Sequence, residues 1–115
     1  NFVGVTELEK IADMELIIEA VFEEMDIKKE IFTKLNKICP SDTILASNTS
    51  YLDINEIAKV INNPERMLGM HFFSPANIMK LLEIIVGEKT SANTVAIAFS
   101  LGKKNEKNTS KIRCL

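Results

Sequence analysis

Met14-Glu15-Leu16-Ile17-Ile18-Glu19-Ala20-Val21 is an apolar run with β-branched residues at its centre, introduced by Asp13. Its content suits a buried strand. Downstream, Ile27, Ile31, Leu35 and Ile38 recur at spacings of four, four and three, which predicts one buried stripe of a helix over residues 26–38. Lys28, Lys29, Lys34 and Lys37 take the remaining faces. Asp26 can cap that helix, and Pro40 stands where it cannot continue. Residues 43–46, Thr-Ile-Leu-Ala, read as the next strand. Near-continuous apolar strands separated by a helix argue for parallel pairing in a covered sheet.

The same alternation continues outward. Asp53 and Glu56 resemble a capping pair, and Ile54, Ile57, Ala58 and Ile61 form a second helical stripe that ends at Asn62-Asn63-Pro64. Residues 66–70 read as a strand reaching His71, and residues 81–86 as another closed by Gly87. Ser91 is placed to cap a helix carrying Val95, Ala98, Phe99 and Leu101, with Gly102 as its stop. Upstream, residues 2–5 read as an edge strand and residues 8–12 as one helical turn. Residues 105–115 are polar and charged and read as a frayed tail. The order strand, helix, strand, helix, strand, strand, helix gives an α/β fold with a largely parallel sheet.

Composition narrows the function classes. The 115 residues make one small domain, and 46% hydrophobic content allows a packed core. Net charge is −2 at neutral pH, so there is no basic excess to grip a phosphate backbone, and nucleic acid is not an expected partner. No apolar run approaches the ~20 residues of a membrane span, and no secretory signal opens the chain. Cys39 and Cys114 are far apart, which suggests neither a disulfide framework nor a metal knuckle. They read as reduced thiols of an intracellular protein. The first residue is Asn1, so the sequence reads as a piece of a longer chain or a processed product.

The candidate chemistry gathers at strand ends. The lone histidine lies in Met70-His71-Phe72-Phe73-Ser74-Pro75, with Glu83 twelve residues on; upstream, Ile44-Leu45-Ala46 breaks into Ser47-Asn48-Thr49-Ser50. In doubly wound sheets ligands bind outside the carboxyl ends of the strands. Glu83, flanked by Leu81, Leu82, Ile84 and Ile85, reads as a buried carboxylate that needs a partner, and His71 is the candidate. Taken singly, each residue also has an ordinary explanation: a satisfied core histidine, an edge carboxylate facing water, a cap or turn hydroxyl at Ser50. Phe72 and Phe73 read as core.

S-N-T-S at residues 47–50, H-F-F-S-P at 71–75 and M-K-L-L-E-I at 79–84 together resemble the 3-hydroxyacyl-CoA dehydrogenases. The H-F-F-S-P form is most similar to the dehydrogenase part of multifunctional fatty-acid oxidation enzymes, and the likeness runs from about Phe2 to about Lys104. It implies the second half of a Rossmann-like doubly wound sheet, truncated at both ends. Residues 1–104 would be a partial dinucleotide-binding domain and 105–115 a disordered tail. It also implies NAD as cofactor, and oxidation of a 3-hydroxyacyl-CoA to the 3-ketoacyl-CoA. By this resemblance His71 matches the base, Glu83 the carboxylate paired with it, and Ser50 the serine that contacts the substrate oxygen and lies by the nicotinamide. Glu23 and Lys28 match cofactor-lining positions, although Glu23, Glu24, Lys28 and Lys29 also resemble a solvated face. Ser74 falls at a cofactor position that is Asn in single-function relatives.

Gly4, Gly69, Gly87 and Gly102 are isolated, and no G-x-G-x-x-G exists. The family's glycine loop is therefore expected before Asn1, and its helical second domain, with dimer contacts, after residue 104. The isolated chain is expected to be inactive. Two other readings stay open: a non-catalytic module that binds a partner protein, and a 3-hydroxy acid dehydrogenase that does not use CoA.

Overall fold

Leu16–Glu19 forms strand β1, with all four residues buried. The structure, a computed structural model, describes residues 14–20, 24–48, 51–71, 83–105 and 112–114. The strand and helical turn expected at residues 2–5 and 8–12 lie outside these. Helix α1 (Met25–Ile38) follows, then β2 (Ile44–Ser47), α2 (Tyr51–Ala58), a 3-10 turn at Pro64–Arg66, and β3 (Met67–His71). Strand β4 (Glu83–Ile85), helix α3 (Ala92–Asn105) and strand β5 (Ile112–Cys114) complete the chain order.

The five strands make one sheet in the order β4-β3-β2-β1-β5. All pairings are parallel except β3 with β4.

The two-residue period of a strand sorts the core into two layers. Ile17, Leu45 and Met67 face α1 and α2, where they pack with Ile31, Phe32, Leu35, Ile54 and Ile57. Leu16, Ile18, Ile44, Ala46, Leu68 and Met70 point the other way and pack with Ala98 and Leu101 of α3. The expected α/β sheet with helices on both faces is what forms.

Several local expectations are corrected. Glu24, not Asp26, occupies the N-cap of α1, and Asp26 sits in the first turn where its charge favours the helix dipole. Asp53 likewise lies inside α2. Ser91 does cap α3, its Oγ accepting from the Thr94 amide at 3.0 Å, but Gly102 does not end that helix, which runs to Asn105. The expected polar tail contains β5, paired with β1 at Leu16↔Ile112, Ile17↔Arg113 and Ile18↔Cys114. Ile112 packs against the α3-side core beside the edge of β1.

Candidate active site

The same alternation that builds the core aims the polar residues. Two residues beyond Ile17, Leu45 and along β3 from Met67, the chain places Glu19, Ser47, Gly69 and His71 on the α1–α2 face at the carboxyl ends of three parallel strands. Antiparallel β4 begins at this rim, with Glu83 in register with His71.

His71 Nδ1 stands 3.5 Å from Glu83 Oε1. That is an ion-pair distance, longer than a made N–H···O hydrogen bond. The imidazole is 37% exposed and the carboxylate 77% exposed. Glu83 is thus not the buried acid that its apolar neighbours suggested. It is the first residue of an edge strand, so its side chain faces water while Ile84 covers the opposite, α3-side core. Among the described residues, Nε2 of His71 has no partner.

A second polar cluster lies at the ends of β1 and β2. Lys28 Nζ donates to Glu19 Oε1 at 2.7 Å and to Ser47 Oγ at 3.3 Å, and Ser47 Oγ donates to the same Glu19 oxygen at 2.5 Å. Glu19 and Ser47 are fully buried and Lys28 is 4% exposed. Lys28 therefore does not belong to the solvated face on which its stripe position put it. It shares the buried side of α1 with Ile31, Phe32 and Leu35, and charge-assisted hydrogen bonds offset its burial. The sequence reading gives Glu19 no role and takes Ser47 only as the first residue of the S-N-T-S stretch at the rim. The available signal was a carboxylate closing an otherwise apolar strand, nine residues before a lysine in the first turns of a helix.

Behind the rim, Arg66 is buried and bridges separate segments. Its Nη1 donates to the carbonyls of Pro40 (2.7 Å) and Thr43 (3.3 Å), and its Nη2 to Asn36 Oδ1 (2.9 Å). This ties the end of α1 and the loop before β2 to the turn that starts β3. Ser50, Glu23 and Ser74 lie outside the described residues, so of the residues singled out from the sequence, His71, Glu83 and Lys28 can be located. Among the described residues, no helix is long and apolar enough to cross a membrane.

Comparison with known proteins gives these positions a family. Residues 2–113 match the family model described as 3-hydroxyacyl-CoA dehydrogenase, NAD binding domain. The chain is 50% identical over 97 residues to a peroxisomal bifunctional enzyme of Danio rerio, covering 84% of this chain and 14% of that protein. It is 49% identical over 102 residues to a 3-hydroxybutyryl-CoA dehydrogenase of Clostridioides difficile, covering 89% and 36%. Among solved structures, the dehydrogenase part of multifunctional enzyme 1 from C. elegans superposes with a TM-score of 0.75 at 40% identity, over 93% of this chain and 24% of that one. The chain thus spans between about a seventh and about a third of the length of these relatives.

Proposed function

The chain belongs to the 3-hydroxyacyl-CoA dehydrogenases through their NAD binding domain, and on that premise we propose that it carries the acid–base residues for oxidising a 3-hydroxyacyl-CoA to the 3-ketoacyl-CoA. The observation that carries this reading is the register pair His71↔Glu83 at the carboxyl-end rim, with Nδ1 turned toward the carboxylate and Nε2 left for another partner. The name of the Clostridioides difficile relative, a 3-hydroxybutyryl-CoA dehydrogenase, supports a CoA thioester substrate, and that of an Arabidopsis thaliana relative 44% identical over 104 residues, a peroxisomal fatty acid beta-oxidation multifunctional protein, supports a role in fatty-acid β-oxidation.

NAD is the cofactor of this domain family, and the donors present fit it. An ammonium has three N–H groups. Glu19 and Ser47 accept two of those on Lys28, which leaves one for a ligand oxygen at the rim. Lys28, Glu23, Ser74 and Ser50 would hold the cofactor, which supplies the acceptor for the hydride leaving C3. In this reading His71 takes the proton of the C3 hydroxyl on Nε2. Glu83 orients the ring through Nδ1 and stabilises the imidazolium as it forms. Ser50 donates to the substrate oxygen as carbonyl character develops, an interaction of the kind that contributes ~3 kcal/mol.

The test is NADH formation by the full-length protein with 3-hydroxybutyryl-CoA and with the free hydroxy acid. Turnover of the thioester alone is the expected result, and equal turnover of both would overturn the CoA assignment. Glu83→Gln should lower kcat by about tenfold, less than a fully buried orienting acid would give, because solvent screens this pair.

A further inference from the structure

We propose that Glu19 is a positioning residue for the cofactor site. With Ser47 it holds the Lys28 ammonium so that the remaining N–H meets an oxygen of the dinucleotide at the carboxyl ends of β1 and β2. The inference rests on the reading of Lys28 as a cofactor contact.

The bonding pattern leaves little freedom. Lys28 and Ser47 both donate to a single oxygen, Glu19 Oε1, and the Ser47 oxygen in turn accepts from Lys28. The serine proton is committed to Glu19, and the serine oxygen and the carboxylate each take one lysine proton. A free lysine side chain has several rotatable bonds, and ordering it costs binding free energy when a ligand does the ordering. Here the ordering is done by the fold. Glu19 and Ser47 are direct register partners on adjacent strands, and Lys28 rides on a helix anchored by Ile31, Phe32 and Leu35.

The cluster has a weak rationale as a structural device alone. A buried ion pair is a poor source of stability compared with apolar residues of similar size. On the same face, one strand position pair inward, the fold uses Ile17, Leu45 and Met67. The switch from apolar to ionic residues falls at the rim where ligands of doubly wound sheets bind.

The experiment is a binding cycle in the full-length protein, read by NADH fluorescence and independent of turnover. Glu19→Gln should weaken NADH by about tenfold, the scale of a lost charge-assisted hydrogen bond. Lys28→Met should weaken it at least as much. In the Lys28→Met background, Glu19→Gln should change the Kd by less than about twofold, because the group it positions is gone. Ser47→Ala, which removes a single hydroxyl and keeps the fold in reach if Glu19→Gln does not, should weaken NADH by about threefold and raise the KM for NAD+ with kcat little changed.

A wild-type Kd in either the Glu19→Gln or the Ser47→Ala variant overturns the inference. So does equal weakening by Glu19→Gln with and without Lys28, or a wild type that does not bind NADH. A wild type that binds NADH but does not oxidise 3-hydroxyacyl thioesters removes the dehydrogenase reading, and the cycle still decides this one.

Discussion

Glu19 and Glu83 illustrate how similar residues in similar sequence surroundings reach different ends. Each sits among isoleucine and leucine, and each could be the buried acid that needs a partner. By its flanking residues Glu83 reads as that acid, but it is exposed at the edge of the sheet; the buried acid is Glu19, held by Lys28 and Ser47. What separates them is strand position. β1 is interior, with a neighbour on each side, whereas β4 is at the edge. Strand order is a tertiary property, and the residues flanking a carboxylate do not encode it. Lys28 was obscured for a related reason: in a helix that also carries Lys29, Glu30, Lys34 and Lys37, burial depends on what the adjacent strands present, and only their polar ends make a lysine tolerable there.

Cys39 supports a prediction at the same scale. Burial pushes its thiol up from the ordinary range, while the Arg66 guanidinium pulls the other way. A thiol with a raised folded-state value keeps its proton longer in the native chain than in the unfolded one. Its contribution to stability is therefore complete below the ordinary thiol range and lost as pH rises through it. Urea unfolding between neutral pH and pH about 10 should show stability falling on the alkaline side, and Cys39→Ala should make that fall shallower. Identical slopes would mean that the Cys39 environment does not discriminate against the thiolate.

At the scale of elements, β3 and β4 carry the candidate site, and Gly69 lies where a side chain has no room. A Cβ on Gly69 would meet Ile85 Cβ at 2.9 Å and Ile54 Cγ1 at 3.3 Å. Neither is the loose end of a flexible side chain, so a methyl group there must push β4 or α2 away. Gly69→Ala should lower stability by about 1–3 kcal/mol in urea unfolding. It should also lower turnover, because Glu83 is set beside His71 by the same ladder. Unchanged stability would show that β4 is held less tightly than its register implies. The helix and strand positions were mostly legible, since Ile31, Leu35, Ile54 and Ile57 repeat with helical period and are all buried. The strand β5 was not, because Ile112-Arg113-Cys114 is too short to show a period of its own and it pairs with β1, nearly a hundred residues away in the chain.

At the scale of the whole molecule, the alternation of strands and helices makes the parallel sheet, and the parallel sheet gathers one end of every strand at one rim. The sheet therefore brings His71, Glu83, Glu19 and Ser47 to a common side although the sequence spreads them over residues 19–83. The motifs around residues 47–50 and 71–75 made the family legible before any coordinates; the lysine-centred cluster became legible only with the fold. The account turns on the imidazole at that rim, and the most direct measurement is NADH formation from 3-hydroxybutyryl-CoA by the full-length protein and its His71→Gln variant, with circular dichroism to verify that both are folded. A loss of about 10³-fold in kcat with an unchanged fold is the expected result. Turnover in a folded His71→Gln variant equal to that of the wild type would contradict the account.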